Sequence, residues 1–260
     1  MTTTALPYGD KLDLSNTVKV PFGRLVRIEL RKMVDTRAGM WLLIAIAVIT
    51  GLATVIFGLA GHAVDRNYGN FAAFAGVPQA FLLPVLGILL ITQEWGQRTA
   101  MVTFTLEPHR GRILTAKIVA ALILSMVAFV IALGFAALST LAFGGPDRWS
   151  NFKPLDIATI ALAQGLGTLQ GLSYGLLLLS SASAIVAFFV VPRVIALVTN
   201  LWPLLSDKAP WLDFGTAQGA LYGNNSPSAT QWAQILVTGT VWVILPFTIG
   251  LWRMLRAEVK

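Results

Sequence analysis

Six long apolar runs, at about residues 38–61, 71–93, 114–143, 155–179, 182–204 and 232–252, decide what this chain can become. A helix needs about 20 residues to cross the hydrocarbon core of a bilayer, and every run reaches that length. Lipid offers no water to the backbone, so a crossing segment must satisfy its own N–H and C=O groups, which a helix does. A β-barrel would instead alternate apolar and polar residues in segments of about 10, and no such pattern occurs. The rest of the composition agrees. Apolar residues make up 56% of the 260 residues, charged residues only 12%, and the mean hydropathy is +0.73. That is too little charge to coat a soluble globule, and it excludes a disordered chain, a nucleic-acid module and a soluble enzyme. The expected fold is an all-α integral membrane protein of six transmembrane helices. The chain has no cysteine and only two histidines, His62 and His109, so neither a thiolate nor a histidine-built metal site is expected.

The basic residues set the orientation. Fourteen of the nineteen Lys and Arg residues fall in the N-terminal stretch, in the segment after the second run, or at the C-terminus. By the positive-inside tendency these are cytoplasmic, which places both termini inside. Seven of the eight tryptophans fall near expected membrane surfaces, whereas Trp242 lies midway along the last run. The first run begins after a polar lead of more than 35 residues, too late for a cleaved signal peptide. The expected organisation is a cytoplasmic tail (1–20), an amphipathic helix (21–37), one transmembrane domain (38–252) and a short cytoplasmic tail (253–260). The largest outside loop is about 205–231.

Residues 21–37 carry their own pattern. Pro21 suits a helix start. At 100° per residue, Phe22, Leu25, Val26, Leu30 and Met33 share one face and Arg24, Arg27 and Arg31 the other. This is a helix for the inner membrane interface, either a coupling element or a plain anchor. Glu29 falls within its apolar face, where a carboxylate needs a partner. The cytoplasmic segment 94–117, EWGQRTAMVTFTLEPHRGRILTAK, is either a solvated basic loop or, given Met101, Val102, Phe104 and Leu106, a short docking helix ended by Pro108.

With these residues in place, the chain resembles the membrane subunit of type-2 ABC exporters, the bacterial drug, antibiotic, lipid and polysaccharide exporters. The likeness rests on the amphipathic helix, the six spans, and the order Glu94, Thr99, Pro108, Arg110, Lys117 after the second span. The GLLLLSSASAIVAFFV turn into the fifth span and the PFTIGLWRMLRAEV tail add to it. Arg98 stands where the family often has glycine, and Ser180-Ser181 where it often has arginine. The resemblance implies two permease chains, identical or homologous, above two separate ATPase subunits that hold ATP and Mg. It also implies coupling through Glu29, Glu94, Arg98, Thr99, Pro108 and Arg110. The carboxylates are expected to pair with an arginine of the loop or of the partner. The resemblance further implies a bacterial inner (plasma) membrane location and alternating access for drug-, antibiotic- or lipid-like cargo along a path including Thr50, Thr54, Gln79, Phe81, Arg193, Thr199 and Asn200. No lysine follows a glycine, so the chain has no Gly-Lys-Ser/Thr phosphate loop of its own. No Glu-Ala-Ala…Gly importer loop is present, which favours export.

Several residues within the spans carry alternatives. Arg193 is either a functional intramembrane charge, a side chain that snorkels where Pro192 breaks the helix, or part of a re-entrant 193–204 segment. Ala163, Gly167, Gly171 and Gly175 recur every four residues, a small-residue stripe suited to close helix packing. Gly171-Leu-Ser173-Tyr-Gly175 matches the G-x-S-x-G pattern, so an intramembrane serine hydrolase using Ser173 is the competing class. A non-transporting membrane scaffold is the third.

Overall fold

The computed structural model describes residues 20–96, 109–149, 153–222 and 226–256, with the side chains of Asn200, Pro203 and Leu204 excepted. Among them the chain is helical and contains no strand. Arg98, Thr99 and Pro108, and with them the short helix expected before Pro108, lie outside the described residues.

Helix α1 (Phe22–Asp35) runs into α2 (Arg37–Ala60) through one extended residue, Thr36, whose hydroxyl accepts from the Gly39 amide at 3.3 Å and caps α2. Helix α3 (Tyr68–Gly96) follows a short 3₁₀ turn, then come α4 (Arg110–Phe143), α5 (Pro154–Leu178) and α6 (Ser181–Leu201). Three short helices come next: α7 (Pro203–Ser206), α8 (Ala209–Leu212) and α9 (Phe214–Gln218). The last long segment is α10 (Ala229–Gly239), a π turn over Thr240–Ile244, and α11 (Leu245–Arg256). Among the described residues five helices are long and apolar enough to cross a membrane: α2, α3, α4, α6 and the continuous α10–α11 segment. Helix α5, the fourth expected span, is 25 residues long but more polar than these.

That polarity reflects its position. Gln164, Thr168, Gln170 and Ser173 of α5 are all buried, and α5 packs most extensively against α3 and then against α11. Small residues make the approach possible. A Cβ on Gly171 would collide with the Pro84 carbonyl of α3, and one on Gly87 of α3 would lie 2.6 Å from the Thr168 carbonyl oxygen. Gly175 faces Ile88 and Gly167 faces Pro84, while Ala163 packs with Phe214, Ala217, Leu221 and Ile235. Gly250 of α11 meets the Leu176 backbone on another side of α5.

Helix α6 runs unbroken through Pro192 to Leu201, so Pro192 does not end the helix. It ends at Trp202, which is extended as the residue before Pro203. The stretch expected as the largest outside loop, 205–231, has structure of its own. Residues 203–222 fold back as α7–α9, because Phe214, Ala217 and Leu221 bury their apolar surface against α5 and α10. The Trp242 indole donates to the Leu212 carbonyl at 2.7 Å. Trp242 lies thirteen residues from the start of α10, about 20 Å at 1.5 Å per residue. A tryptophan in mid-span thus serves a backbone carbonyl instead of a membrane surface.

Candidate functional site

At one end of the bundle, four charged side chains meet out of solvent. Glu29 of α1, Glu94 near the end of α3 and Lys117 in the second turn of α4 are buried, and Lys32 of α1 is partly exposed. Lys117 Nζ donates to Glu29 Oε2 at 2.6 Å, lies 3.3 Å from Glu94 Oε1, and donates to the Leu90 carbonyl at 3.2 Å. Lys32 Nζ reaches Glu29 Oε1 at 2.7 Å and Glu94 Oε1 at 2.6 Å. Among the described residues each lysine therefore touches both carboxylates, so two positive charges face two negative ones. A lone buried charge would be costly, whereas these are paired and hydrogen-bonded. Burial opposes the charge on Lys32, but the carboxylates of Glu29 and Glu94 outweigh it and hold its ammonium above the ordinary lysine range.

The local sequence brings these groups together. Glu29 and Lys32 stand three apart on α1, hence on one face. Val26 and Met33 flank them in the core and press that face against α4. Arg24, Arg27 and Arg31 point the other way and line an open basic surface with Ile28. Further contacts gather at the same end. Arg110 donates to the Met254 carbonyl at 2.7 Å and Arg112 to the Val20 carbonyl at 2.6 Å. Arg253 donates to the Leu177 carbonyl.

Sequence reasoning singled out Glu29 and Glu94 but expected arginine as their counter-ion. Among the described residues the partners are lysines. The signal was present in the spacing of Glu29 and Lys32, and in Lys117, which lies inside the third apolar run.

A second feature lies between α3, α5, α6 and the folded-back α9. It is an open cleft of about 430 Å³, walled by Phe81, Phe188, Phe189, Pro192 and Gly167 and carrying the polar groups of Gln170, Arg193, Asp213, Gln218 and Tyr222. Phe81 and Phe189 stack with centroids 6.3 Å apart, and Phe188 meets Phe189 edge-on at 5.2 Å. Burial pushes the Tyr222 phenol up to about 12, so it stays a neutral donor at physiological pH.

Of the residues nominated for a path, Phe81 and Arg193 line this cleft. Thr50, Thr54 and Gln79 are fully buried. Thr54 accepts from Ser139 at 2.9 Å and Gln79 donates to the Ala128 carbonyl at 2.7 Å, so both face α4 of the same chain. Thr199 is turned onto its own helix, donating to the Ile195 carbonyl at 3.0 Å. Ser173 is buried in the middle of α5 and donates to the Leu169 carbonyl at 2.8 Å; it does not sit on a strand-to-helix elbow. Among the described residues no three His, Cys, Asp or Glu side chains cluster as metal ligands.

No protein-family model matches this chain. No curated protein matches it significantly.

Proposed function

We propose that the chain is the permease subunit of an ATP-driven exporter of the type-2 ABC class, moving amphipathic or apolar cargo by alternating access. The observation that carries this reading is the ion-paired Glu29–Lys32–Glu94–Lys117 cluster. It ties the interfacial helix α1 to the end of α3 and the start of α4, on either side of segment 97–108. A force applied to α1 or to that segment is thereby passed to two long helices at once. This is what a permease needs if a separate ATPase dimer is to move it. Helix α5 serves as the sixth crossing. Its 25 residues span about 37 Å at 1.5 Å per residue, more than the roughly 30 Å hydrocarbon core. Its buried polar side chains turn to neighbouring helices, away from lipid. The basic end of the bundle is then cytoplasmic, both termini lie inside a bacterial inner membrane, and ATP and Mg bind on the partner ATPase.

The test is purification from native membranes in mild detergent. Two permease chains and two ATP-hydrolysing subunits should elute together. A single permease chain that transports without any ATPase would overturn the proposal.

A further inference from the structure

Arg193 is an exposed charge on the otherwise uncharged helix α6. It lies eight residues before the end of α6, about 12 Å from that end at 1.5 Å per residue. Around it α6 shows lipid-type surface: Val190, Val194 and Leu197 are exposed. Among the described residues it makes neither a hydrogen bond nor an ion pair. Ionisable groups at such depth face a cavity or a partner, because an uncompensated charge in hydrocarbon is expensive. Here the cavity is the cleft between α3, α5, α6 and α9.

The other charge on the cleft wall is already engaged. Asp213 is buried, and its Oδ2 accepts from both the amide and the hydroxyl of Thr216, each at 2.7 Å. Those neutral donors leave the carboxylate charged, so the cleft wall carries one charge of each sign, and Arg193 is the one without a hydrogen-bond partner among the described residues. The guanidinium offers a planar fork of donors that matches a carboxylate or phosphate. Beside it stand Phe81, Phe188 and Phe189, an apolar wall.

We infer that this cleft receives an anionic amphiphile, its acid group held by Arg193 and its apolar body lying against Phe81, Phe188 and Phe189. The inference rests on the permease reading only in making that amphiphile cargo. The acid could belong to a diffusible amphiphile or to a lipid of the bilayer, and the chemistry recognised is the same.

The test uses the full chain in nanodiscs of phosphatidylcholine, doped at equal mole fraction with oleate, oleyl alcohol or phosphatidylglycerol. Ligand binding is read from the rise in unfolding temperature, which follows mass action. Oleate should bind about tenfold more tightly than the alcohol, the range expected of a charge-assisted contact. Arg193→Gln should abolish that preference while leaving the ligand-free unfolding temperature in place, and Arg193→Lys should keep part of it. Phe81→Ala should weaken oleate and alcohol alike. An acid preference shared by phosphatidylglycerol supports the anion site and assigns its occupant to the bilayer. A preference for oleate over phosphatidylglycerol supports it and assigns the occupant to a diffusible amphiphile. Equal binding of oleate and alcohol by the wild-type chain, or an acid preference that survives in Arg193→Gln, overturns the inference. No ATPase enters this experiment, so its failure leaves the partner question open, and absence of an ATPase partner leaves the binding result standing.

Discussion

Replacing Lys117 with methionine keeps an unbranched side chain, one atom shorter, and removes its charge. In the wild type, Nζ lies 2.6 Å from Glu29, 3.3 Å from Glu94 and 3.2 Å from the Leu90 carbonyl, and the residue is 5% exposed. The variant leaves two buried carboxylates facing one ammonium. Removing one partner of a buried pair costs about 3–5 kcal/mol, because the other charge is stranded. Lys32 still reaches both carboxylates, which sets the expected loss at the lower end, about 3 kcal/mol. The exposed pair Arg31–Asp35, at 3.1 Å with side chains 79% and 61% exposed, is the control. Arg31→Ala should cost no more than about 0.5 kcal/mol. Adding Glu29→Gln to Lys117→Met removes one charge of each sign and leaves the Glu94–Lys32 pair in place. The double variant should therefore be less destabilised than the sum of the singles, with a coupling of about 0.5–3 kcal/mol. Reversible unfolding in mixed micelles, followed by circular dichroism, measures the wild type and all four variants. Lys117→Met costing no more than Arg31→Ala, with strictly additive singles, would refute the electrostatic account of the cluster.

Three further outcomes are expected. Gly171→Val drives a side chain into the Pro84 backbone, which has no rotamer by which to yield, and should destabilise by at least about 1–3 kcal/mol in the same unfolding assay. Trp242→Phe removes the bond to the Leu212 carbonyl; it should cost about 0.5–1.5 kcal/mol and speed hydrogen exchange selectively in 209–218. Lys32 has a folded pKa above its ordinary value of 10.5, so its contribution is complete below that pH and is lost as the pH rises through the folded value. Unfolding temperatures should therefore fall more steeply on alkaline titration in the wild type than in Lys32→Met, and parallel curves would contradict the assignment.

How far these features could be read from the sequence depended on the physics behind each. The long apolar helices follow from hydropathy alone, and α2, α4 and α6 end within a few residues of their expected borders. Helix α5 was harder to grade. Its run is long, yet Gln164, Gln170 and Ser173 are polar because they face neighbouring helices, which a hydropathy sum cannot distinguish from polarity toward water. The fold-back of 203–222 was missed because its helices have four or five residues each, too short for a periodic pattern. The misplaced Trp242 was the visible trace of it. Glu29 stood out as an acid on an apolar face. Its partner Lys117 is 88 positions away, and only the packing of α1 on α4 brings the two together. Thr50, Thr54 and Gln79 were assigned to a path from their polarity, but small polar side chains inside a bundle also serve as contacts between helices, and here Thr54 and Gln79 bond to α4.

The most direct test of the central claim is a simultaneous measurement of ATP hydrolysis and cargo export in vesicles holding this chain together with the ATPase that the proposal expects to copurify, for wild type, Glu29→Ala and Glu94→Ala. If the cluster passes force from the ATPase to the helices, both variants insert and assemble, hydrolyse ATP without stimulation by cargo, and export little. Export per ATP equal to wild type in both variants would contradict that role.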